Sequence, residues 1–529
     1  MASSDFLGSF LITVFLISTS ALALYGLHLY VLVFFFRRRH AAASSEQQAF
    51  LARYREETPE SDWLGVTSQI PIYNEADVAI RVITAVAGMD YPGGKHTIQV
   101  LDDSTDETRL LVDRVVRPLR EQGVDVEIIR RENREGFKAG ALKVGLGRSR
   151  HPLVAIFDAD FVPPRDFLRR ATPFLARNAK VACIQGRWTY LNPHESWLTE
   201  AQSVGLDGHF AIEQGARAWN QLFMNFNGTA GVWRKAAIDD PAVGGWTADT
   251  LTEDLDLSYR AQLAGWKIEY CLSLECPSEL PSTITALKAQ QRRWTTGATQ
   301  TAVKLLPRIW RSDARLSQKL EATFHLTHHT ASLWMVFVAL MTRPLILGVD
   351  PSAFLPAFLT GYTMMIITSL APPTMYGYAR RVLGGGWSGL KTTPAMMVIG
   401  TGMSINNALA VLRGLLTRGG EFVRTPKSGS TQRRKQASRY KTKSAPRLWI
   451  AEMLLGAYCL AYWVVCLSQG RLVFSVFLMV YAAGFLISGW MSRPSAPTID
   501  RRRFITVSDG GETEMSPTLA PASAPVRAR

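Results

Sequence analysis

Apolar residues are distributed along this chain on two length scales. Residues 6–36, "FLGSFLITVFLISTSALALYGLHLYVLVFFF", hold no Asp, Glu, Lys or Arg, and about 20 apolar residues are enough to cross a bilayer. Runs close to that length follow at 331–349, 352–371, 448–468 and 471–491. A fifth stretch, 393–416, contains Asn406, Asn407 and Arg413 and reads as an interfacial or re-entrant helix. Between these flanks, residues 62–311 show the short alternating blocks of a water-soluble domain.

Within that middle region, apolar strands and helical patterns take turns. Residues 65–75, "GVTSQIPIYNE", predict a strand ending in a turn, followed by a helix through Val86. Strands are predicted again at 96–104, 124–131 and 153–161, with helices between them, including "GFKAGALKVGL" at 136–146. This β-α-β-α order predicts a doubly wound, mostly parallel sheet. Ligands bind such sheets beyond the carboxyl ends of the strands. Acidic residues fall there: Glu75 after the first strand, Asp102 and Asp103 after the second, Asp158 and Asp160 after the fourth.

Charge fixes the expected topology. "RRRH" at 37–40 closes the first apolar run, and basic residues favour the cytoplasmic side. The run is longer than a signal peptide's apolar region, and its basic residues follow it rather than precede it. A retained helix with its N-terminus outside is therefore expected. If the middle region and the basic loop 432–447 are both cytoplasmic, an even number of spans separates them. Two fit, which gives five in all and a cytoplasmic "RRR" at 501–503. The expected divisions are an N-terminal membrane helix at 1–40, a cytoplasmic domain at 41–311, membrane and interfacial helices at 312–495, and a disordered, Ser/Thr/Pro/Ala-rich tail at 496–529.

The excess of 59 Lys and Arg over 44 Asp and Glu is accounted for by loops beside an anionic leaflet. No zinc-finger spacing or RNA-recognition signature is present, so no nucleic-acid partner is expected. Cys183, Cys271, Cys276, Cys459 and Cys466 show no framework spacing, and no structural disulfide is expected.

Several patterns carry chemistry. In an extended segment residues i and i+2 point the same way, so Asp158 and Asp160 suit a hard divalent ion such as Mg²⁺ or Mn²⁺. Asp102 and Asp103 at a strand end suit the donors of a base or ribose. "RENREGFKAGALK", with Arg131, Arg134, Lys138 and Lys143, sets basic residues around a glycine-rich helix start that suits phosphate. Glu253 and Asp254 open a helix in "TLTEDLDL", where acids are favoured by the dipole and where a general base is also well placed. "QQRRW" joins Gln290, Arg293 and the flat face of Trp294.

Taken in order, "PIYNE", "LDDS", "FKAGALK", "DAD", "FNGTAG", "TED" and "QQRRW" resemble the processive family 2 glycosyltransferases of the cellulose-synthase superfamily, most of all the cellulose-synthase-like mannan, glucomannan and β-glucan backbone synthases. The resemblance covers about residues 65–297. It implies a type A glycosyltransferase fold fused to an α-helical transmembrane bundle. It also implies an inverting polymerase that uses UDP-glucose or GDP-mannose, requires Mg²⁺ or Mn²⁺, and passes a β-linked polysaccharide through its own helices. By the same resemblance, Asp102, Asp103, Glu75, Lys138, Gln290 and Arg293 bind the nucleotide sugar, and Asp158 and Asp160 hold the metal. Asp254 is the base, with Glu253 beside it, and Trp294, Asn227 and Gly228 face the acceptor. A gating-like loop at 420–430 carries Phe422, Thr425 and Lys427 at the family's spacing, with Arg424 where the family has valine.

With so short a tail, the cyclic-dinucleotide barrel of bacterial cellulose synthases and control by such a nucleotide through this chain are not expected. A homo-oligomer or accessory export subunits are compatible with this reading. Two other functions are open. One is a transferase adding a single sugar to a lipid such as ceramide or a polyprenyl phosphate. The other is a transporter, whose spans carry paired ionisable residues; here Arg343 alone stands out. Neither the donor sugar nor the linkage is fixed by these patterns.

Overall fold

The computed structural model describes residues 2–349, 353–421, 427 and 447–494. Seven strands form one sheet: β1 (Val66–Ile72), β2 (His96–Asp102), β3 (Val126–Ile129), β4 (Leu153–Ile156), β5 (Val181–Tyr190), β6 (Gly231–Arg234) and β7 (Lys267–Ser278). Their order across the sheet is β3-β2-β1-β4-β6-β5-β7. β6 runs antiparallel to both neighbours, and every other pairing is parallel. The predicted doubly wound sheet is the one observed.

Side-chain alternation builds its two faces. Leu153 and Ala155 join Val66, Ile70, Val100 and Phe174 in one core, while Val154 and Ile156 join Leu101, Leu142 and Trp233 in the other. With helices on both faces the strands have no solvent side; β4 is wholly apolar, and the polar Thr67, Ser68, Gln69 and Gln99 of β1 and β2 are buried with it. In the pairing register Ile72 lies opposite Asp102, so the β1 and β2 carboxyl ends finish level with one another. β4 is shorter than the predicted 153–161. It ends at Ile156, and a turn closed by the Phe161 N–H donating to the Asp158 carbonyl (3.0 Å) follows.

The first helix, Ala2–Glu57, runs unbroken for 56 residues. It passes the expected boundary at residue 40 because nothing between "RRRH" and Glu57 breaks a helix. Phe50 near its end packs on Phe174 beneath the sheet, with ring centroids 5.6 Å apart. Among the described residues, five helical segments are long and apolar enough to cross a membrane: Phe6–Glu57, Leu316–Gly348, Leu355–Val382, Leu448–Ser468 and Ser475–Ser492. The stretch with Asn406 forms two helices, Gly389–Gly402 and Ser404–Leu416, bent by 46°. Most of the 420–430 loop and the tail beyond residue 494 lie outside the described residues, but Lys427 does not.

Candidate active site

One open cleft, with roughly 1210 Å³ of empty space, lies beyond the carboxyl ends of β1, β2 and β4. Its lining includes Glu75, Asp103, Lys138, Asp158, Asp160, Asn227, Gly228, Glu253, Asp254, Gln290, Arg293 and Trp294. Residues scattered over 220 positions of sequence thus meet at one place.

Asp158 and Asp160 share this cleft through the turn that follows β4, not through strand alternation as expected from sequence. The Asp158 N–H donates to the Thr229 hydroxyl (2.9 Å), which ties the turn to the "FNGT" segment. Both carboxylates face ammonium groups. Lys138 Nζ is 2.6 Å from Asp158 and 3.9 Å from Glu253. Lys427 Nζ is 2.8 Å from Asp160. Lys138 also donates to the Gly228 carbonyl (2.9 Å). Burial raises the pKa of Asp158, opposed by Lys138 and reinforced by Asp160. Burial pulls the Lys138 pKa down, but Asp158 and Glu253 more than compensate and leave it raised.

Asp254 opens the Glu253–Leu263 helix, in which Asp254 Oδ1 accepts the Leu255 N–H at 2.8 Å. Its pKa is pushed up to about 7, first by burial and next by the Glu253 carboxylate beside it, with Lys138 acting the other way. Gly228 lies against it with φ +81°, in the left-handed region. A Cβ there would come 2.7 Å from Asp254 Oδ2, so only glycine fits without movement.

The Ile284–Arg311 helix supplies Gln290, Arg293 and Trp294 to the far wall. Burial lowers the Arg293 pKa, and the fields of Asp158, Glu253, Asp254 and Asp160 raise it. Gly297 on the same helix closes on Thr252, whose backbone N would stand 2.7 Å from a Cβ. This packs the "QQRRW" and "TED" segments directly together.

Asp102 is not in the cleft wall. Its buried carboxylate accepts from Arg130 (2.9 Å) and from the Ser104 N–H (3.0 Å). Asp103 is the acid of that pair which lines the cleft, clasped by Arg131, whose Nε donates to Oδ1 at 2.9 Å. Asn227 Oδ1 accepts from Gln214 (2.8 Å) and Asn225 (2.6 Å), its Nδ2 meets His209 (3.2 Å), and its backbone N–H donates to Gln185 (2.9 Å). Lys143 is exposed on its helix.

Sequence patterns did not single out Trp188, and they did not foresee the partners of Arg134 and Lys427. Trp188, at the polar end of β5, stands 6.4 Å from Trp294 between ring centroids and stacks on Phe210 at 4.7 Å. The Arg134 guanidinium sits 3.3 Å above the Tyr73 ring, making a flat wall near Glu75 and Asp103. Lys427 reaches Asp160 from 267 residues away in sequence. An aromatic directly following "QGR" at a strand end was the one available signal for Trp188; the other two contacts are set by tertiary structure alone.

Among the described residues no cluster of three His, Cys, Asp or Glu side chains forms a complete metal site. Two hard carboxylates at an open cleft nonetheless fit a divalent ion that takes its remaining ligands from a substrate's phosphates. The two ammonium groups now on them mark the same place as one that attracts positive charge.

Residues 65–297 match the family described as glycosyltransferase like family 2. Glucomannan 4-beta-mannosyltransferase 2 of Arabidopsis thaliana is 36% identical over 452 residues, covering 82% of this chain and 82% of the relative. Glucomannan 4-beta-mannosyltransferase 1 of Oryza sativa subsp. japonica is 35% identical over 454 residues, covering 80% and 82%. Among solved structures, the mannosyltransferase PcManGT from Pyrobaculum calidifontis, in complex with GDP-Man and Mn²⁺, aligns with TM-score 0.45 at 18% identity, covering 71% of this chain and 98% of that one.

Proposed function

Since the chain belongs to glycosyltransferase family 2, with glucomannan 4-beta-mannosyltransferases as relatives over most of its length, we propose that it is a membrane-embedded, inverting mannosyltransferase that extends a β-1,4-linked mannan or glucomannan from GDP-mannose. One observation carries this reading: Asp254, the Asp158/Asp160 pair and Trp294 share a single cleft.

In this scheme the nucleotide lies along Tyr73, Glu75, Asp103 and Arg134, with its diphosphate toward Lys138 and Arg293. Asp158 and Asp160 would hold a divalent ion, Mg²⁺ or Mn²⁺, which supplies positive charge to the departing diphosphate. The acceptor's terminal sugar rests on Trp294, beside Trp188, with its 4-hydroxyl toward Asp254. Asp254 takes the hydroxyl proton, the hydroxyl oxygen bonds to the anomeric carbon, and the bond from that carbon to the diphosphate breaks. Lys138 and Arg293 offset the negative charge that develops there. One direct displacement inverts the anomeric centre, so an α-linked donor gives a β-linked product.

The catalytic domain is placed in the cytoplasm, with the N-terminus of Ala2–Glu57 outside and five spans. Cysteine labelling at Ser61 and Ser430 tests this, since both are then on the cytoplasmic side; labelling from opposite sides overturns it. For the chemistry, purified enzyme in vesicles is given GDP-mannose or UDP-glucose. Long products cut by β-mannanase are expected with GDP-mannose. A product cut only by β-glucanase would replace the donor, and one sugar on a lipid at every acceptor concentration would replace the polymerase reading with a lipid glycosyltransferase.

A further inference from the structure

The helix Ile284–Arg311 has two working faces. At 100° per residue, Gln290, Arg293, Trp294 and Gly297 lie on one side, and Lys288, Arg292, Thr295 and Thr299 on the opposite one. Gln290, Arg293 and Trp294 of the first side line the cleft, and Gly297 packs on Thr252. The second is bolted to the membrane-region helices by polar contacts.

Lys288 Nζ stands 2.6 Å from Glu452 Oε2 and donates to the Ser492 hydroxyl at 2.6 Å. Glu452 belongs to the apolar Leu448–Ser468 helix and is completely buried. Asn406, also completely buried, works in both directions. Its Oδ1 accepts from Arg292 (Nη2 2.8 Å, Nε 3.2 Å), and its Nδ2 donates to the Lys288 carbonyl (3.1 Å). Further along, the Thr296 hydroxyl donates to the Ala410 carbonyl (3.2 Å), and Gln300 donates to the Gly419 carbonyl (2.8 Å). Gly414 packs so closely that a Cβ would stand 2.6 Å from Thr299 Cβ.

A buried carboxylate inside an apolar helix is costly unless it does something, and an amphipathic face needs only apolar cover to be stable. Charge and amide groups do what apolar cover does not: they fix one rotation of the helix about its axis, because the hydrogen bonds survive only in that rotation. Turning the helix would carry Arg293 and Trp294 away from Asp254 and Asp158. We propose that Asn406 and Glu452 are positioning residues for glycosyl transfer, holding the Ile284–Arg311 helix in the rotation that presents Gln290, Arg293 and Trp294 to the cleft. The proposal rests on the transferase reading above. It gives the interruption at Asn406 a role, and it adds Glu452 to Arg343 as an ionisable residue within a predicted span.

The test uses full-length enzyme in nanodiscs, with thermal midpoint, donor hydrolysis without acceptor, and sugar transfer measured for each variant. Glu452→Gln and Lys288→Met are each expected to lower transfer roughly 10- to 100-fold, the scale of a small misplacement of catalytic groups. Donor hydrolysis is expected to fall far less. The double variant should be no worse than the worse single, since both act through one contact. Asn406→Asp, which keeps an acceptor for Arg292, should retain most transfer, and Asn406→Leu should lose it. A role in folding alone would lower the thermal midpoint and leave the ratio of transfer to hydrolysis at the wild-type value; that result, or additive losses in the double variant, overturns the proposal. If Glu452→Gln does not fold, the Asn406 pair decides by the same ratio. Should wild-type enzyme add one sugar to a lipid instead of making polymer, the polymerase reading fails alone, and the ratio still decides the positioning role.

Discussion

Gly228 and Asp254 are packed so tightly that a single methyl group on the glycine would stand 2.7 Å from the carboxylate. The same glycine's carbonyl accepts from Lys138, which in turn holds Asp158. Asp254, the proposed base, Lys138, proposed to face the diphosphate, and the first acid of the "DAD" turn are therefore set by one backbone position. Gly228→Ala should lower turnover by about a hundredfold or more through displacement of Asp254. The added strain of alanine at positive φ should lower stability by about 1–2 kcal/mol. Donor affinity by calorimetry beside turnover separates the two effects; unchanged turnover would mean that the contact is slack.

The pH dependence follows from Asp254. A general base works only when deprotonated, and burial together with Glu253 pushes this carboxyl up to about 7. Below that value the protonated form dominates, so log(kcat/KM) should climb with pH at a slope near one and level off above it. Glu253→Gln removes the neighbouring negative charge and should move the break toward lower pH. A profile flat from pH 5 to 9 would contradict the assignment of Asp254 as the base.

Metal dependence has a specific signature here because the Lys427 ammonium lies 2.8 Å from Asp160. EDTA should stop turnover reversibly, and Asp160→Asn should abolish it. Lys427→Met should tighten Mn²⁺ binding to donor-free enzyme by about tenfold at pH 8, the equivalent of one charge-assisted hydrogen bond of about 1.5 kcal/mol. Electron paramagnetic resonance of free Mn²⁺ measures this directly. Weaker binding in the variant would show that the lysine supports the ion rather than competing with it.

The aromatic pair Trp188 and Trp294 should act on chain extension. Stacking on a ring contributes on the order of 1 kcal/mol beyond area burial, enough to hold an acceptor between additions. Trp294→Ala is expected to shorten products far more than it slows donor hydrolysis, and Trp188→Ala to do so to a smaller degree, as read by product length on gels. Equal loss of both activities would place Trp294 at the donor instead.

Much of this was legible in the sequence because the signals were local. Strands β1, β2 and β4 are short runs followed by acids at their carboxyl ends, and "TED" reads as a helix start because acids gather at that end of the dipole. What stayed hidden depends on contacts far apart in the chain. Asp102 and Asp103 are neighbours with the same chemistry; only the placement of Arg130 behind the sheet and Arg131 before it separates a buried anchor from a cleft residue. The strand containing Asp158 looked longer than it is, since Phe157 and Phe161 are as apolar as the residues of β4 but pack in a turn. Glu452 is one acid in a 21-residue apolar helix, and its meaning appears only once Lys288 lies against it.

The unbroken first helix makes the protein a lever. At 1.5 Å per residue, the stretch from Phe36, where the apolar run ends, to Phe50 against Phe174 is about 21 Å long. Tilting the buried part by ten degrees, as a thinner or thicker bilayer demands of a helix of fixed length, swings Phe50 by roughly 4 Å unless the shaft bends. No glycine or proline lies in that stretch. The shaft is held along its length, by Phe36 on Trp219, Gln47 on the Tyr270 carbonyl and Phe50 on Phe174, so a tilt of the first helix and a movement of the sheet are one motion.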